Sequence, residues 1–143
     1  MILDERNEFS DALAVTASVI SDVIDLGAAP TLQDIGNGEP LYLVISVDEQ
    51  ATAAGAATVA FSLESDSTAD LATSATVHFT TPAIGKATLA PGYVVAAVAL
   101  PHGSYERYLG VRYTVATGPL TAGKFSAFLT PTPAKWTALP DAL

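Results

Sequence analysis

The chain has 143 residues, enough for one domain with a real core, and its lack of cysteine excludes a disulfide framework, a thiolate nucleophile and a Cys-based zinc site. Half of the residues are hydrophobic and only 15% are charged, which excludes wholesale disorder. The net charge of −9 opposes phosphate backbones and anionic headgroups, so neither nucleic acid nor membrane is expected as a partner.

Residues 1–11, MILDERNEFSD, are charged but carry the apolar anchors Met1, Ile2, Leu3 and Phe9, and read as an N-terminal arm. The start has neither the basic residues nor the apolar run of a signal peptide, and no apolar stretch approaches a membrane span. An intracellular product without lipid anchors is therefore expected. Residues 12–20, ALAVTASVI, read as a strand, and 22–26, DVIDL, as a second short one after a Ser21-Asp22 turn. Residues 27–39 form a long loop rich in turn residues, with Asn37-Gly38 leading into the next strand. That strand, 40–47, puts Leu41, Leu43, Ile45 and Val47 on one face and Tyr42, Val44 and Ser46 on the other. Both faces are largely apolar, so it is expected to be central.

A small-residue loop at 48–56 leads to TVAFSLES, with Val59, Phe61 and Leu63 inward and Thr58, Ala60, Ser62 and Glu64 outward. After a polar connection, 75–81 alternates again, with Val77 and Phe79 inward and His78 outward. A loop with two prolines follows, then the apolar strand 92–100 and a Pro-His-Gly turn. Residues 105–116 place Leu109, Val111, Tyr113 and Val115 on one face, with Gly110 opposite as a bulge or a close approach. The last strand, 124–130, turns Phe125, Ala127 and Leu129 inward. The tail from 131 holds Pro131, Pro133 and Pro140 and suits neither a long helix nor a central strand. The sum is one all-β domain: an eight-stranded, jelly-roll-like β-sandwich over 12–130, flanked by extended N- and C-terminal arms (1–11 and 131–143).

Constellations for chemistry are weak. His78 and His102 lack the convergent neighbours of a metal site. Asp48-Glu49 and Glu64, Asp66 and Asp70 are acidic loop clusters without a calcium-loop pattern, and solvated charge describes them better than paired catalytic carboxylates. Gly36-Asn37-Gly38 precedes a strand, whereas a phosphate loop precedes a helix. No catalytic, cofactor or metal residue is assigned. The charge is uneven: residues 1–70 hold 13 of the 15 acids and one base, Arg6, whereas 71–143 hold five bases and two acids. Either the two halves neutralise each other within one fold, which is the favoured reading, or a basic side of one copy meets an acidic side of another.

The termini carry the candidate interface: Met1, Ile2, Leu3 and Phe9 at one end, Trp136, Leu139 and Leu143 at the other. These are large apolar groups on segments that form no core alone. They either dock on a partner or fold back on their own sandwich.

Three stretches together resemble a known family. They are NEFSDALAVTASVISDVI with DLG (7–27), IGNGEPLYLVISV (35–47) and YLGVRYTVATGPLTAGKFSAFLT (108–130). They resemble the capsid cement proteins of tailed bacteriophages, of the type found on the Bordetella phage head. The resemblance implies a jelly-roll protein on the outer capsid surface, made in the host cytoplasm, that bridges neighbouring major capsid protein subunits against the pressure of packaged DNA. It implies no enzyme activity and no cofactor. Its partners would be the major capsid protein and other copies of itself, as a homodimer or homotrimer. The alternative is a carbohydrate-binding jelly-roll adhesin of a phage virion. That reading needs an outward aromatic platform from Tyr93, Tyr105 and Tyr108, with Tyr113 expected to face inward.

Overall fold

The computed structural model describes residues 3–35 and 37–133. Among them the chain forms a short 3-10 turn, Glu5–Asn7, and ten strands: β1 (Glu8–Ala14), β2 (Val19–Ile20), β3 (Ile24–Asp25), β4 (Tyr42–Thr52), β5 (Thr58–Asp66), β6 (Thr76–Thr80), β7 (Ile84–Gly85), β8 (Val94–Ala99), β9 (Tyr108–Ala116) and β10 (Ala122–Thr130). One sheet runs β1-β10-β4-β8 and the other β2-β9-β5-β6, with β3 also on β9 and β7 also on β5. All these pairings are antiparallel. Taken as one interrupted strand each, β2–β3 and β6–β7 reduce the ten to eight, arranged in two four-stranded sheets in jelly-roll order.

The core lies where the period-two pattern puts it. Leu43, Ile45 and Val47 of β4, Val59, Phe61 and Leu63 of β5, Leu109, Val111 and Tyr113 of β9, and Phe125, Ala127 and Leu129 of β10 are all buried. Phe61 of one sheet meets Tyr113 and Phe125 edge-on, with ring centroids 5.6 and 5.3 Å apart. Tyr113 and Phe125 stack at 5.8 Å. The two contacts of Phe125 bridge the sheets, while the Phe61–Tyr113 contact lies within the second sheet, and all three have geometry that aromatic quadrupoles favour. The central position expected for β4 holds, since β10 and β8 flank it and Val44 and Ser46 on its second face are buried too.

Five expectations shift. The first strand begins at Glu8, not at 12, because Phe9 sinks fully into the core and carries its charged neighbours into the sheet edge. The stretch expected as one strand at 12–20 then breaks at 15–18, where the chain crosses to the second sheet. β4 continues through the polar residues 48–52, expected as loop. There Glu49 pairs with Lys124 at 3.1 Å, and Ala51 N–H donates to Leu89 O. Val77, expected inward, is 54% exposed. The β5–β6 register slips between Leu63 opposite Phe79 and Glu64 opposite Val77, a bulge at His78 that turns Val77 to the outer face beside Glu64. Finally, Ile84–Gly85 in the proline-bearing loop forms a short edge pairing with β5.

Candidate functional site

The acidic residues singled out in the sequence are built into the fold. Glu64 is 5% exposed and lies on the outer face of the second sheet, where Arg112 Nε donates to its Oε2 at 2.9 Å and Ser62 Oγ to its Oε1 at 2.7 Å. Arg112 also donates from Nη2 to Leu71 O at 2.6 Å. Leu71, at a positive φ of 49°, is buried in the β5–β6 connection. A Cβ on Gly110 would stand 2.6 Å from Leu71 Cδ1 and 3.1 Å from Val23 Cγ1. The close approach foreseen at Gly110 is therefore this contact: residues 67–75 form a strap across the outer face, seated on a strand position without a side chain.

Asp66 anchors the strap. Its carboxylate accepts from Thr68 N–H (3.3 Å), Ser74 N–H (3.4 Å) and the Ser74 hydroxyl (3.3 Å). Burial alone pushes its pKa up, but the hydrogen bonds from Thr68, Ser74 and Ser67 outweigh it and hold the carboxyl below its usual value. Asp70 accepts from the Thr68 hydroxyl and from Ala72 N–H within the same connection. Asp48 accepts from the Ser126 hydroxyl at 2.6 Å. Among the described residues no group of three or more His, Asp or Glu could hold a metal ion.

His78 is half-buried rather than outward, because the bulge sits at its position. Its Nε2 lies 2.7 Å from Ser65 Oγ, and its ring rests 4.2 Å from that of Tyr105. Burial lowers its pKa, and the nearby Glu106 carboxylate works against that. A Ser–His hydrogen bond beside a glutamate has the composition of a hydrolytic triad. Ser65, however, has no solvent exposure, and its Oγ also accepts Glu106 N–H at 3.1 Å. A nucleophile needs a face open to substrate; this hydroxyl instead ties β5 to the 105–107 segment. This cluster is not legible in the sequence, since its parts are joined only by the β5–β6 register and the entry into β9. His102 lies in its turn, with Nδ1 3.3 Å from Asn37 Oδ1.

The tyrosines do not form one platform. Tyr113 is buried, as expected, with its hydroxyl 2.6 Å from Ser10 Oγ. Tyr105 is buried and donates to Pro101 O. Tyr108 lies under the Arg107 guanidinium at 4.8 Å, and Tyr93 stands apart on the β8 side, exposed.

Of the candidate interface, Met1, Ile2, Trp136, Leu139 and Leu143 lie outside the described residues. Phe9 belongs to the core, so its apolar surface serves the chain's own sandwich. Leu3 is half-buried and lines a groove with Glu8, Asp11, Ser46, Asp48 and Phe128 on the outer side of the first sheet. Next to it the 3-10 turn and the β2–β3 segment enclose a hollow lined by Glu5, Arg6, Glu8, Asp22 and Asp25. Burial, then the like charges of Asp11 and Glu5, raise the pKa of Glu8 there. This end of the molecule is strongly acidic.

The uneven charge resolves inside the fold. Arg107 holds Asp25 through two hydrogen bonds of 2.9 and 2.8 Å, Arg112 holds Glu64, and Lys124 holds Glu49. Each pair joins a base of the second half to an acid of the first. The Arg107 guanidinium and the Gly27 N–H bring the Asp25 carboxyl down to about 2.

Among the described residues no helix is long and apolar enough to cross a membrane. No curated protein matches the chain. The sequence model of the Bbp16 family, a name from a Bordetella phage protein, matches residues 9–129, from the buried Phe9 of β1 to Leu129 of β10, and so spans the whole jelly roll. The chain is a member of the Bbp16 family.

Proposed function

We propose that this protein is a capsid cement, or decoration, protein. It binds the outer surface of a phage head and bridges neighbouring major capsid protein subunits, without enzymatic chemistry. The observation that carries the reading is the match to a phage protein family over the full sandwich, 9–129. The molecule's build supports it. The two sheets share a continuous aromatic and aliphatic core, and Asp25, Glu49, Glu64, Asp66 and Asp70 are engaged in ion pairs or in the strap. Such a rigid body suits a role in which modest contacts, repeated over a symmetric lattice, add up to a firm hold. Binding that favours the finished shell stabilises that shell by linkage. Its net charge of −9 gives it no affinity for the DNA inside.

The test is quantitative mass spectrometry of purified virions of the phage that encodes the chain. A copy number in simple ratio to the major capsid protein is the expected result. A few copies per particle would indicate a tail or adhesin component, and none would overturn a virion role.

A further inference from the structure

Ser65 has no solvent exposure, so its hydroxyl has to find its partners inside the fold. Among the described residues its Oγ has two. One is the Glu106 N–H, at 3.1 Å, which can only donate. The other is His78 Nε2, at 2.7 Å. The hydroxyl hydrogen therefore has one acceptor within reach, the lone pair on Nε2. That requirement decides the state of the ring. Nε2 is bare, the imidazole is neutral, and its single proton sits on Nδ1.

The three groups belong to separate elements. Ser65 lies on β5, His78 at the bulge of β6, and Glu106 in the segment that enters β9. The hydroxyl is the joint between them, since it accepts the Glu106 N–H and gives its own hydrogen to His78. A proton added to His78 turns Nε2 from an acceptor into a donor. Nε2 and the Glu106 N–H then aim at the same oxygen, and the Ser65 hydrogen is left without a partner in a fully buried place.

The charged and titratable groups around the ring do not offset this. Tyr105 rests against it at 4.2 Å and gives its hydroxyl hydrogen to Pro101 O. The Glu106 carboxylate favours a charged ring, but it already accepts from Thr76 Oγ1 at 3.1 Å, and burial outweighs it, so His78 stays below the ordinary value of 6.5. Glu64 on β5 is held by Arg112, Arg107 by Asp25, and Asp66 and Asp70 by hydrogen bonds from the strap.

We propose that Ser65, His78 and the Glu106 amide form an acid-sensitive latch, which holds the β6 bulge to the segment entering β9 while His78 is neutral and releases it when His78 takes up a proton. The same segment carries Arg107, the partner of Asp25 on β3, so release loosens one end of the second sheet. The sign follows from linkage. Above 6.5 the ring is neutral in the folded and unfolded chain, and the latch contributes in full. As pH falls below that, the unfolded chain takes up the proton first. The folded state then loses about tenfold of its advantage per pH unit, until its own ring is protonated too. The latch belongs to the folded chain and stands whether or not the protein binds a capsid.

The test is nuclear magnetic resonance of the labelled imidazole nitrogens in the full chain, whose two histidines are His78 and His102, together with amide hydrogen exchange. At about pH 7.5 His78 is expected as the Nδ1–H tautomer, with a titration midpoint below 6.5. Relative to the unfolded chain's exchange, the Glu106 amide is expected to lose protection on going to about pH 5, by up to about tenfold for each pH unit that separates the midpoint from 6.5. His78→Gln offers Ser65 a carbonyl oxygen and cannot titrate, so it should keep the Glu106 protection and lose its pH dependence. An Nε2–H tautomer at neutral pH overturns the proposal, as does a midpoint at or above 6.5. A loss of Glu106 protection that is equally large in folded His78→Gln places the acid response elsewhere and also overturns it. If that variant does not fold, the tautomer and midpoint of the unaltered chain still decide.

Discussion

Tyr113 joins the two sheets by more than its ring. Its hydroxyl, buried beneath β1, makes a 2.6 Å hydrogen bond with Ser10 Oγ. Burial pushes the phenol pKa well up, Ser10 pulls slightly the other way, and the Asp48 charge adds to the rise. The sign of the consequence follows from linkage. Below about pH 10 the phenol is neutral in the folded and unfolded chain alike, and its full contribution is present. As pH rises beyond that, the unfolded chain releases its proton while the buried phenol keeps it, and the folded state loses ground by up to about 1.4 kcal/mol per pH unit. Thermal melting followed from pH 8 upward should therefore show a midpoint that declines once tyrosine begins to titrate. Tyr113→Phe should flatten that decline. At neutral pH it should cost about 1 kcal/mol, because Ser10 loses its partner in a buried place. An alkaline decline of the same steepness in both proteins would remove Tyr113 as its source.

At the scale of elements, the strap over the second sheet ties together features that are separate in the sequence. Leu71 rests on Gly110, its carbonyl receives Arg112, and Arg112 in turn neutralises the buried Glu64. Gly110→Ala should destabilise by about 1–3 kcal/mol, since the new methyl meets a fully packed neighbour. Leu71→Ala alone should cost at least about 2 kcal/mol. Because the second change removes the atom that obstructs the first, the double variant should be milder than the sum by about 1 kcal/mol in urea denaturation. Additivity within about 0.5 kcal/mol would mean that the strap and strand do not touch in solution. Gly110 shows what a sequence can disclose: a glycine amid Leu109, Val111 and Tyr113 announces that something must approach, but not that it is Leu71. Strands with one clean apolar face, such as Phe125-Ala127-Leu129, are legible because burial on one side enforces period two. The slip at His78 is not legible, since a bulge is set by the partner strand and leaves the local alternation of Val77 and Phe79 unchanged. The polar half of β4 reads as loop for a related reason: Glu49 and Gln50 belong to a strand only once Lys124 and the Lys86 carbonyl are placed beside them. Phe9 was visible as an anchor, but an aromatic residue among charges looks the same whether it docks on a partner or on its own core.

At the scale of the whole molecule, the bases of the second half are largely committed within the fold, to Asp25, Glu64 and Glu49, and to the Ala53 carbonyl. A strongly acidic particle results, with a net charge of −9. That imbalance makes the salt dependence of stability diagnostic. If these ion pairs dominated the electrostatics of folding, salt would screen their attraction and lower the melting midpoint. If the mutual repulsion of the carboxylates within the folded chain dominates, salt screens that instead. From about 10 mM to about 150 mM salt the Debye length shrinks from about 30 Å to about 8 Å, so most of the repulsion between distant carboxylates disappears. Thermal melting at these two salt concentrations should show the higher midpoint at the higher one. A lower midpoint at higher salt would mean that the exposed pairs of Arg107 with Asp25 and of Lys124 with Glu49 outweigh the repulsion.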